Sequence, residues 1–160
     1  MSPVVRGRVW LLAGGLIVVH LFLHVGLAIG AAAPDLLTVA LLLSAREVGL
    51  GRAAAVGFVL GLLEDALSVL AFGANVVAMT LVGIGGAVTR DLFVGDSRLF
   101  IVSYFFLGKW VRDLAHWIAV GEGLRQPFVD QVLIQGAIGG AYAAVVGLVL
   151  VALSGLTGES

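Results

Sequence analysis

Two groups of ionisable residues lie inside long apolar stretches of this chain. Glu64 and Asp65 interrupt one stretch, and Lys109, Arg112, Asp113 and His116 interrupt another. Carboxylates, a lysine and a histidine held together away from water can relay protons, hold an ion or bind a polar ligand. They can equally pair with one another and fix helices in place, because an unpaired charge within a bilayer costs roughly 3 kcal/mol or more. His20 and His24 stand four residues apart on a third apolar stretch, a spacing able to bind a metal. The chain has no Cys, and no third ligand lies near the two histidines in sequence. The expected role of the histidines is therefore pairing to backbone or to another helix, with no metal and no cofactor. There is no nucleophile elbow, phosphate-binding loop or zincin helix, so no catalytic residue and no enzymatic activity are expected.

The elements that must position these residues follow from composition. Of 160 residues, 61% are hydrophobic and only 12% charged. The charged fraction is about half that of an ordinary soluble domain. A mean hydropathy of +1.14 points to lipid rather than water as the solvent. Net charge is −1, and no basic patch or nucleic-acid motif is present, which argues against a nucleic-acid partner. Six apolar segments, approximately 9–29, 36–44, 53–70, 76–88, 99–118 and 132–153, predict an all-α polytopic membrane protein forming a single integral domain over 1–160. The second segment is short, covering less than half of a ~30 Å hydrocarbon layer at ~1.5 Å per residue. A five-span chain in which that segment stays interfacial is the alternative.

Arg6, Arg8, Arg46, Arg52, Arg90 and Arg98 flank one set of loops, whereas the alternate loops hold only Arg125. The positive-inside rule then places both termini in the cytoplasm, and the bias stays consistent only with six crossings. Ala31-Ala32-Ala33 after an apolar run resembles a signal-peptide cleavage site. The run is nevertheless long for a signal sequence, and Pro34 follows it directly, so an uncleaved first helix is expected. Trp10 and Trp117 suit the two interfacial belts.

Depth and face make the charges specific. Counting from the inner ends of segments three and five, Glu64 lies ~16 Å along its helix, Lys109 ~15 Å and Arg112 ~19 Å. Lys109, Arg112, Asp113 and His116 follow an i, i+3, i+4, i+7 pattern on one face. Gly57, Gly61, Glu64, Asp65 and Ser68 form a stripe on segment three. A packed interface between segments three and five is predicted, with Glu64 or Asp65 paired to Lys109 or Arg112, and with Asp113 able to pair to Lys109 on its own helix. Gly57, Gly61, Gly73, Gly136 and Gly140 are candidates for close helix packing or partner contact.

The stretch from Gly57 through Gly61, Asp65 and Gly73 resembles the rod shape-determining protein MreD family. That family typically shows Gly-x-x-x-Gly-Leu-x-x-Asp in its third segment and a Leu-Gly step whose Gly lies eight residues after the Asp. Here Phe72-Gly73 occupies the step, and Pro34-Asp35-Leu36-Leu37 resembles the opening of the family's short second helix. This chain departs from the pattern in carrying Val69-Leu70-Ala71 before the step and in doubling the acid at Glu64-Asp65. The resemblance covers roughly 34–90. It implies a non-enzymatic scaffold of bacterial cell elongation and peptidoglycan synthesis, multi-pass in the cytoplasmic (inner) membrane and embedded in its lipid bilayer. The implied partner is the bitopic protein MreC, within an assembly containing MreB, RodA and a class B penicillin-binding protein. The family is similar in fold to the S components of energy-coupling-factor vitamin transporters, which implies an S-component-like bundle. It also supplies the rival function, a small-molecule-binding S component or a small proton-coupled carrier. Against docking of the S-component kind, the inner half of segment one forms no small-x-x-x-small pair.

Overall fold

The computed structural model describes residues 3–23, 35–68, 71–92 and 97–154, which are all helical apart from their connections. The helices are α1 (Pro3–Leu21), α2 (Leu36–Ala45), α3 (Leu50–Leu67), α4 (Ala74–Leu92), α5 (Arg98–Ala119) and α6 (Gly136–Ser154). A 3₁₀ turn at Glu122–Leu124 and a π-helical segment at Val129–Gln135 connect α5 to α6. The expected second segment gains one residue at its end, the third begins at Leu50, and the fourth and fifth run past the expected ends. The outer part of the first segment, including His24, and residues 69–70 lie outside the described residues.

The short α2 is the hub. All ten of its residues are buried, and it touches α1, α3, α4, α5 and α6. A helix apolar on every side needs neighbours on every side. Leu37, Leu41, Leu42 and Leu43 accordingly form one core with Met79, Ile101, Phe105 and Val151. At ~1.5 Å per residue α2 is ~15 Å long, half the thickness of a bilayer core. Asp35 starts it as an N-cap, accepting the Thr38 N–H at 3.0 Å and the Thr38 hydroxyl at 2.7 Å.

The helices α3 and α4 form the tightest pair in the fold. A Cβ on Gly61 would stand 2.6 Å from the carbonyl oxygen of Asn75, and one on Gly57 would collide with that of Met79. No side chain fits there, so the glycines permit direct backbone contact. This corrects the expected packing of segments three and five. The glycine face of α3 is filled by α4, α4 packs on α5, and α3 and α5 make no direct backbone contact among the described residues. Gly136 and Gly140 pack against Trp110 and Phe106 of α5. Of the two roles expected for them, helix packing or partner contact, these four glycines serve helix packing within the chain.

The helical stretch Val129–Leu153, 25 residues, is long and apolar enough to cross a membrane. The segments Leu36–Ala45 and Ala74–Thr89 are apolar but shorter.

Candidate functional site

The ionisable residues converge where α2 and α4 begin, where α3 ends and where α5 passes its midpoint. Lys109 and Arg112 are one turn apart on α5 and point the same way. The Arg112 Nη2 donates to Glu64 Oε1 at 2.5 Å and to Asn75 Oδ1 at 2.7 Å. Its Nη1 donates to Asp113 Oδ1 at 3.3 Å, and its Nε lies 3.7 Å from Asp35 Oδ2. Lys109 forms a short ion pair with Asp113 and stands 3.5 Å from Asp35 Oδ2. The side chains of Asp35, Glu64, Lys109, Arg112 and Asp113 are each between 10% and 17% exposed, so the pairing takes place largely out of solvent. In such surroundings a bidentate or shared guanidinium contact is stronger than its surface counterpart.

Four helices are tied by this one cluster. Arg112 joins α5 to α3 through Glu64, to α4 through Asn75 and to α2 through Asp35. The long arginine side chain thus makes the link between α3 and α5 that the backbones do not. Five N–H donors on a rigid plane suit it to several acceptors at once, which a lysine cannot match.

Asp65 does something else, and the expectation that it shares in the interhelix charge pairing is corrected. Its carboxylate is fully buried and accepts three backbone N–H groups from the start of α4. The Gly73 N–H donates to Oδ2 at 2.8 Å, the Val76 N–H to Oδ2 at 3.0 Å and the Asn75 N–H to Oδ1 at 3.1 Å. Adjacent helical positions point about 100° apart. Glu64 can therefore face α5 while Asp65 faces the turn into α4. A helix N-terminus leaves orphan N–H donors and a partial positive charge, and a carboxylate satisfies both. Gly73 adopts φ +97° in that turn, a backbone conformation that side chains disfavour. The eight-residue separation of Asp65 and Gly73 is thus the reach of a carboxylate back onto the turn that follows its own helix.

His116 lies one turn beyond Arg112, partly buried, within electrostatic reach of Arg112, Asp113, Asp65 and Lys109. His20 is buried in α1. Among the described residues no group of three His, Asp or Glu side chains is arranged to hold a metal.

Asp35 and Asn75 were not singled out for this cluster by sequence. The signal for Asp35 is the shortness of α2. A helix of ten residues that ends before Arg46 is about half the length of its neighbours, so its N-cap acid arrives at the level of Glu64. Asn75 has no comparable signal, since it is one polar residue in the first turn of α4.

The C-terminal end of α5 is built separately. Arg125 donates to the carbonyls of Val120 at 2.9 Å and Ile118 at 2.8 Å, capping α5. Its guanidinium lies 4.8 Å over the Trp117 ring, which packs edge-on to Phe128. The Trp110 indole N–H donates to Val132 O at 3.0 Å, within the π-helical segment.

No family model matches the chain, and neither curated proteins nor solved structures give a significant match.

Proposed function

We propose that this protein is a non-enzymatic, multi-pass scaffold of the bacterial cytoplasmic membrane. On this reading it is of the MreD type and holds the single transmembrane helix and outer part of MreC within the cell-elongation assembly. The membrane part of the reading is supported by an inside-out distribution of polarity. Asp65 and Lys109 are buried. Leu11, Phe58, Val59, Leu81, Leu107, Ile138 and Val145, spread over five helices, are each about half or more exposed. A water-soluble fold of this size does not turn leucines outward around its whole girth and charges inward. Lipid on all sides accounts for both. Six crossings are the count that keeps the arginine-rich loops on one side.

The observation that carries the scaffold reading is the Asp65–Gly73 clamp. The residues on which the resemblance to the MreD family rests, Gly57, Gly61, Asp65 and Gly73, are the ones that build the α3–α4 unit. Their work is architectural, and so is that of the ion cluster, whose charges face one another. The carrier reading has one observation in its favour. Glu64 Oε2 is buried and makes no hydrogen bond among the described residues, leaving an acceptor for a proton, ion or polar ligand. Affinity isolation of the tagged full chain from solubilised membranes separates the two. A scaffold brings down a single-span protein with a large external domain. A small molecule retained at one equivalent, with no such protein, would replace the scaffold by an S component or carrier.

A further inference from the structure

An open groove of about 510 Å³ runs along the outside of the bundle between α4 and α5. Its floor is Leu42, Gly86 and Gly108, and its rims include the exposed Leu81, Leu107 and Val111. The volume is that of a ligand site rather than a packing defect. Gly85 leaves the groove open, since a Cβ there meets nothing within 4 Å, whereas a Cβ on Gly86 or Gly108 would strike Tyr104 or Leu42. The Tyr104 hydroxyl donates to Leu42 O at 2.8 Å, and the Thr89 hydroxyl to Gly85 O at 2.8 Å. These two hydroxyls are thereby turned to backbone, and the lining is mostly hydrocarbon.

The length of the groove limits what fits it. Along α5 its lining runs from Leu99 to Val111, or ~18 Å at ~1.5 Å per residue. One leaflet of hydrocarbon is about half of ~30 Å. A spanning partner helix needs the full ~30 Å of contact surface, and this groove offers little more than half. At its inner end stand exposed Arg98 and Ser97, the first residue and the N-cap of α5. An arginine beside a helix N-terminus complements a phosphate. Arg98 is also one of the residues that mark the cytoplasmic side.

We propose that this groove seats one acyl chain of a phospholipid from the leaflet on the Arg98 side, with its phosphate against Arg98 at the start of α5. The lipid covers a wall of α4 and α5 that the described residues leave open and makes it part of the bundle surface. The inference rests on the membrane reading above, but it is scored by lipid retention and not by partner capture, so the two fail separately.

Gly85 gives a clean probe. It lines the groove, and a Cβ built there meets nothing within 4 Å. Leucine at this position fills the groove without disturbing the core. Native mass spectrometry of the full chain released from its membranes, with lipid extraction and thermal melting, is the experiment. The wild type is expected to keep one phospholipid per chain after the loose lipids are stripped. In Gly85→Leu the retained fraction falls about tenfold or more while the melting temperature is held or raised. Arg98→Ala weakens retention less and abolishes any preference among headgroups. Equal retention by wild type and Gly85→Leu would mean an annular lipid only and overturn the proposal. So would a single cysteine at Gly85 that crosslinks to a partner protein's helix rather than to a photoreactive phospholipid.

Discussion

Replacing Asp65 by Asn removes a charge and one acceptor while keeping the shape of the side chain. The Asp65 Oδ2 holds the Gly73 and Val76 N–H groups and Oδ1 holds that of Asn75. An asparagine keeps its oxygen on the first two at best, and its NH₂ then faces the Asn75 N–H, donor against donor. The loss of that charge-assisted bond, with a buried N–H left unsatisfied, costs about 1–3 kcal/mol. Removing the negative charge from the N-terminus of α4 adds about 1 kcal/mol. The sum is ~2–4 kcal/mol, or a melting-point drop of about 5–15 °C for a chain of this size. Asn75 is itself the acceptor for Arg112 at 2.7 Å, so the damage passes into the ion cluster. A double-mutant cycle of Asp65→Asn with Asn75→Ala is therefore non-additive. The assay is thermal unfolding of the purified protein in mild detergent, alongside its abundance in the membrane. A melting point for Asp65→Asn within a degree of wild type would refute the reasoning, because a fully buried carboxylate with three amide partners cannot be replaced at no cost.

Arg112→Met leaves Glu64 and Asp35 without their guanidinium and destabilises by about 3–5 kcal/mol, read by the same melting assay. Adding Glu64→Leu to it recovers part of the loss, since a buried pair replaced as a unit by apolar residues is tolerated. Gly61→Ala pushes a methyl group to 2.6 Å from the Asn75 carbonyl and separates α3 from α4 at a cost of about 1–3 kcal/mol. Gly14→Ala, at an open position on α1, stabilises or is neutral by the same measurement.

Much of the site was legible because helical geometry is regular. A constant rise per residue placed Glu64 and Arg112 at one level, and the i, i+3, i+4 pattern put Lys109, Arg112 and Asp113 on one face of α5. What the count could not supply was lateral order. Equal depth and matching stripes suggested that α3 and α5 touch, whereas the glycine face of α3 belongs to α4 and the pairing is made by the length of an arginine. The doubled acid concealed a division of labour. Neighbouring residues on one helix serve different elements, and the role of Asp65 depends on a turn that exists only after α4 has folded back. Asp35 was visible as a helix opening, but its place among the charges depends on how deeply α2 is sunk.

The claim beneath all of this is that the chain crosses the membrane several times. Only Val129–Leu153 among the described helices passes a test of length and apolarity. The chain has no cysteine, so single cysteines can report sidedness without background. Gly49 and Gly123 are exposed, and a Cβ at either meets nothing within 4 Å. With one crossing after residue 129, both positions lie on the same side. With six crossings and the arginine-rich loops inside, position 123 is outside and position 49 inside. Labelling of intact cells or spheroplasts with a membrane-impermeant maleimide is predicted to modify Gly123→Cys and to spare Gly49→Cys until the membrane is opened. Identical labelling of the two would contradict the account.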